Sequence, residues 1–108
     1  MRDAKLFLTD IMQAIDAIEG FVQGLDRDQF EQDDKTVSAV IRKLEIVGEA
    51  AKVIPEEIRE KYSQIPWKEM AGMRDKLIHF YFGVDYGLVW QTIKNRIPKN
   101  QTNFATMS

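Results

Sequence analysis

The chain has 108 residues, 44% apolar and 30% charged, with a net charge of −2, which allows one hydrophobic core but not two. Zero cysteines exclude disulfides and thiolate metal centres, and a single histidine argues against a histidine metal site within one chain, so neither metal nor cofactor is expected. No apolar run approaches the roughly 20 residues needed to span a bilayer, and Asp3, Lys5 and Asp10 would interrupt a signal-peptide core, so a cytoplasmic protein off the membrane is expected.

The first element is a long amphipathic helix over about 3–24. Leu8, Ile11, Met12, Ile15, Ile18, Phe21, Val22 and Leu25 recur at steps of three and four, with Thr9, Gln13, Asp16, Gly20 and Gln23 on the opposite line. Phe7 and Ala14 widen the apolar stripe enough for a second neighbour. The stretch from Gly24 to Asp34 is acidic and broken, with Asp26 and Asp28 as candidate caps of a short turn around Phe30.

A second long helix is predicted over 35–54. Val37, Val40, Ile41, Leu44, Gly48, Ala51 and Ile54 form its apolar line, and Lys35, Ser38, Arg42, Glu45, Glu49 and Lys52 its polar one. Asp33 or Asp34 suits the positive end of its dipole as a cap. Gly48 in mid-helix costs about 1 kcal/mol against alanine, which close approach of a neighbouring helix would offset. Pro55 stops the helix, with a short turn to follow before Tyr62.

Pro66 and Trp67 open a third helix of about four turns. Trp67, Met70, Ala71, Leu77, Ile78 and Tyr81 share one face, and Arg74 falls inside it. Lys68, Gly72, Asp75, Lys76 and His79 take the polar side. Gly83 and Asp85 supply a stop and a cap, and Tyr86, Val89, Trp90, Ile93 and Ile97 define a fourth helix ended by Pro98. Four such helices with short connections predict an all-α antiparallel bundle over 1–98, with a polar tail over 99–108.

The third helix carries the chemistry. Residues 1–58 have a charge balance of −6 and residues 59–108 one of +4, so a polyanion is expected at the half containing Arg74 and His79. A histidine near its ordinary pKa of about 6.5 exchanges protons at neutral pH. An arginine fork holds phosphate oxygens and offsets the charge of a pentavalent phosphorane. Together they suit attack by a ribose 2′-hydroxyl on its adjacent phosphate, which needs no metal. Arg74 and His79 lie roughly 140° apart around a helix axis, at roughly 100° per residue. Either the arginine wraps around its own helix, or the two groups meet across a second copy.

Each residue also has a plainer reading: His79 as a solvated surface group, Asp75 as its partner one turn earlier, and Tyr81 as core with an outward hydroxyl. Arg74 is harder to explain away, because a charge on an apolar face needs a partner or a stem packed down with its head in water.

The pattern Arg74-x-x-x-x-His79-x-Tyr81 resembles the signature of HEPN-domain ribonucleases, specifically HepT-like toxins. The resemblance extends to Ile46-Val47-Gly48-Glu49-Ala50, Ile65-Pro66-Trp67, Gly72-Met73-Arg74 and Val84-Asp85 through Val89-Trp90, and covers the chain from about Asp3 to Pro98. Asp75 stands where relatives often have asparagine. The resemblance implies a helical HEPN fold and a homodimer whose two motifs form a composite, metal-independent RNase site. It also implies a partner, an MntA-like minimal nucleotidyltransferase antitoxin that transfers AMP onto Tyr81. Two functions stay open at this stage: a ribonuclease toxin with Arg74 and His79 as catalytic residues, or a non-catalytic HEPN module that binds nucleotide, RNA or the partner protein.

Overall fold

The computed structural model describes residues 4–63, 65–72 and 86–95. Two long helices, α1 (Ala4–Val22) and α3 (Asp34–Lys52), make the most extensive contact between any two described elements. Ile11, Ile15 and Ile18 of α1 and Val37, Val40 and Leu44 of α3 are each 0–2% exposed, so the predicted apolar lines close on the same core. Around this pair stand the short helices α2 (Arg27–Glu31) and α4 (Glu56–Lys61), a helical segment over 67–72, here α5, and α6 (Tyr86–Asn95). All regular structure among the described residues is helical. Of the predicted third helix only 67–72 falls within them.

Local chemistry sets the helix boundaries. Gly24, at φ +79°, turns the chain after α1, and Leu25 N–H donates to the Val22 carbonyl at 3.0 Å; the left-handed region suits glycine because it has no Cβ. Asp26 then caps α2 in a reciprocal box. Its carboxylate accepts from Gln29 N–H at 2.8 Å, and the Gln29 side chain accepts from Asp26 N–H at 2.9 Å. Of the two expected cap candidates, Asp28 lies inside the first turn instead, where a carboxylate complements the dipole. A five-residue helix has no stability of its own. Phe30 anchors it, fully buried, with its ring centroid 5.2 Å from that of Trp90 on α6.

Asp33 is the cap of α3. One carboxylate oxygen accepts from Thr36 N–H at 3.1 Å and the other from the Thr36 hydroxyl at 2.7 Å. At the far end, Gly48 and Ala51 are buried and Pro55 separates α3 from α4. Helix α4 buries no residue fully, and Ile58 only leans on the core.

Phe21 departs from its predicted place. It lies roughly 80° from the centre of the buried line of α1, counted at roughly 100° per residue. There Phe21 is 40% exposed.

Two stability outcomes follow from this packing. Leu44→Ala removes a fully buried side chain from the α1–α3 seam and should cost about 2–5 kcal/mol in urea unfolding. Phe21→Ala should stay within about 0.5 kcal/mol. Thr36, through its hydroxyl and then its amide, holds the Asp33 carboxyl below its ordinary 3.8. A carboxylate depressed in the folded state stabilises it above the unfolded pKa and loses that contribution as pH falls through the folded value. The Tm gap between wild type and Asp33→Ala should therefore be constant near neutral pH and close below about 3.8.

Candidate active site

Arg74, Asp75, His79 and Tyr81, the residues singled out for catalysis and modification, lie outside the described residues, as do the expected caps Gly83 and Asp85. The structure shows how the chain is held on either side of them. Residues 73–85 run from the end of α5 to the start of α6, and each of those helices is anchored by a different device.

The anchor before the site begins with Arg59. Its Nε–H donates to the Ile54 carbonyl at 3.1 Å and its terminal amine to the Ala51 carbonyl at 2.5 Å. The Ala51 carbonyl is in the last turn of α3, where its backbone donor, the Ile54 amide, is distant at 3.4 Å, and the Ile54 carbonyl lies just past the helix. A cation there also opposes the negative pole of the dipole. The chain then crosses to Ile65, 2% exposed, and Trp67, 5% exposed. The Trp67 indole N–H donates to the Tyr62 carbonyl at 3.1 Å, so the ring is both buried and oriented. Met70 is fully buried, and its N–H donates to the Pro66 carbonyl at 3.0 Å. Pro66 has no N–H to leave unpaired there, which suits it to open a helix.

The anchor after the site is α6. Val89 is fully buried and Ile93 is 8% exposed. Trp90 packs on Phe30, and the Lys94 ammonium sits 4.6 Å from the Trp90 ring centroid. Gly87 is buried against α2, where a Cβ would collide with the guanidinium of Arg27, itself 3.7 Å from Glu31. Tyr86, the first residue of α6, donates its hydroxyl to Asp34 at 2.6 Å. That bond, followed by partial burial and the charge of Asp34, raises the phenol pKa above its ordinary 10.0 and keeps it protonated.

Sequence reasoning found the Trp67, Met70, Val89 and Ile93 anchors through their periodicity. It missed the Arg59 fork and the Tyr86–Asp34 bond. Nothing in a sequence marks a pair 52 residues apart. Arg59 also corrects the charge argument in one respect: it counts toward the basic half, yet its fork is turned onto backbone carbonyls. A groove of about 670 Å³ beside it is lined by Glu56, Glu60 and Glu69 together with Arg59 and Lys68. Three carboxylates against two cations make it a poor seat for a polyanion.

The helical fold and the Arg74-x-x-x-x-His79-x-Tyr81 sequence between its two anchors define a class. The chain matches the family described as "Ribonuclease HepT-like" over residues 11–105, and it belongs to the HepT-like ribonuclease family. It is 53% identical to "Putative RNase MJ0125" of Methanocaldococcus jannaschii, over 95% of this chain and 89% of the relative. It is 52% identical to "Putative RNase MJ1216" of the same organism, over 95% and 85%. To "Probable ribonuclease HepT" of Thermococcus cleftensis it is 50% identical, over 98% and 96%. No solved structure matches the chain.

Removing the Arg59 fork tests the anchor before the site. Arg59→Ala should destabilise the fold by roughly 1–3 kcal/mol in urea unfolding, since two carbonyls lose a charged donor. Arg59→Lys should recover less than half of that loss, because a point donor does not reproduce the fork.

Proposed function

We propose that the chain is a metal-independent endoribonuclease acting as the toxin of a toxin–antitoxin pair in the cytoplasm. The observation that carries this reading is the intact Arg74-x-x-x-x-His79-x-Tyr81 motif in a chain of the HepT-like ribonuclease family. Relatives named as RNases support it, at about half identity over nearly the full length. The working unit is a HEPN domain over 1–98, with 99–108 as a tail. It acts as a homodimer in which Arg74 and His79 of both subunits face one cleft, a reading that suits the roughly 140° separation expected from their spacing.

The substrate is RNA because the nucleophile is its own 2′-hydroxyl. That oxygen attacks the adjacent phosphorus, the bond to the 5′-oxygen breaks, and a 2′,3′-cyclic phosphate remains. One proton leaves the 2′-oxygen and one reaches the departing 5′-oxygen. His79 does this acid/base work, and Arg74 holds the phosphoryl oxygens as their charge grows. Asp75, four residues before His79, supports the imidazole. Tyr81 positions RNA and is the point of control: an MntA-like nucleotidyltransferase partner esterifies AMP to its hydroxyl. The added phosphate occupies a site meant for the substrate's and repels it.

The deciding assay incubates purified protein with total RNA in EDTA. Wild type should cleave and leave 2′,3′-cyclic phosphate ends. Arg74→Ala and His79→Ala should each lower the rate by at least about 100-fold while helical content persists. Products with 5′-phosphate, or cleavage only with added magnesium, would refute the mechanism. Failure to cleave any RNA would favour a non-catalytic HEPN module.

A further inference from the structure

Two consecutive aspartates begin α3, and they do different work. Asp33 completes the helix cap alone, with one oxygen on the Thr36 amide and the other on the Thr36 hydroxyl. Asp34 is therefore not needed as a cap. Its carboxylate instead accepts the Tyr86 hydroxyl at 2.6 Å, in the range of a charge-assisted O–H···O⁻ bond. This bond ties the first residue of α6 to the first residue of α3.

The same bond is not required to seat α6. Val89, fully buried, Ile93, 8% exposed, and the Trp90–Phe30 contact already do so through apolar area. What the hydroxyl adds is a fixed position for the backbone at Tyr86 itself. Tyr86 comes five residues after Tyr81 and seven after His79. On the other side of the stretch, Trp67 and Met70 hold α5 in the core. Buried side chains thus secure the chain at α5, and a directional hydrogen bond secures it again at Tyr86. Chemistry at phosphorus tolerates little misplacement of its acid, base and cation.

We propose that the Tyr86–Asp34 hydrogen bond is a positioning contact for the ribonuclease site, fixing the end of the segment that carries Arg74, His79 and Tyr81. The inference rests on the ribonuclease reading above and adds two residues that touch neither RNA nor the reacting atoms.

The test compares Tyr86→Phe, Asp34→Ala, Asp34→Asn and the Tyr86→Phe/Asp34→Ala double variant. Steady-state cleavage of a defined RNA and amide hydrogen exchange of peptides covering 73–86 are both measured. Tyr86→Phe and Asp34→Ala should each lower kcat on the order of tenfold, with KM and Tm close to wild type. Asp34→Asn keeps an acceptor oxygen and should retain most of the activity. The double variant should be no worse than either single one, because all three remove the same bond. Exchange over 73–86 should quicken in Tyr86→Phe and Asp34→Ala, relative to α1.

Wild-type kcat in Tyr86→Phe or Asp34→Ala, additive losses in the double variant, or equal losses in Asp34→Asn and Asp34→Ala would each overturn the proposal. Unchanged exchange in Tyr86→Phe and Asp34→Ala would do so independently of activity. Should wild type cleave no RNA while exchange responds as expected, the ribonuclease reading fails and the positioning role of the pair stands.

Discussion

The structure depends on the seam between α1 and α3. Each helix spans 19 residues and presents branched aliphatic side chains at three- and four-residue steps, several of them among the least exposed of the described residues. Burying them releases apolar surface from water, at about 25 cal/mol per Å². A helix as short as α2 persists only through its packing on α3 and α6, where Phe30 meets Trp90.

The connections are held by directed polar contacts instead. The Asp26–Gln29 box and the Asp33–Thr36 cap satisfy amides that a helix start leaves without partners, and the Arg59 fork adds a charged donor to carbonyls at and just past the end of α3. Each also determines where the next element starts. Arg59 joins the end of α3 to α4, and α4 leads through Ile65 to Trp67 and α5. Placement of α5 therefore passes along a relay of helix ends, with α1 and α3 as the base.

Membership of the HepT-like ribonuclease family fits this division of labour. The chemistry proposed for Arg74 and His79 asks little of the core beyond rigidity. It asks much of the supports on either side, because an arginine fork and an imidazole must meet one phosphate. Buried Trp67 and Met70 supply rigidity before the segment, and α6 supplies it after.

Much of this was legible in the residues alone. Periodicity located α1, α3 and α6 and named Ile11, Ile15, Leu44, Met70 and Val89 as core, because a helix that must bury one face has to repeat its apolar residues near every 3.6 positions. The motif and its neighbouring words pointed to the family for the same local reason: the residues that carry the resemblance are close in sequence. Tertiary structure alone decided which aspartate caps α3 and which reaches Tyr86, that Arg59 serves backbone carbonyls rather than a ligand, and that Phe21 of α1 faces water. Those outcomes turn on which groups from distant parts of the chain come within 3 Å or so of one another. No period or spacing along a sequence encodes that distance.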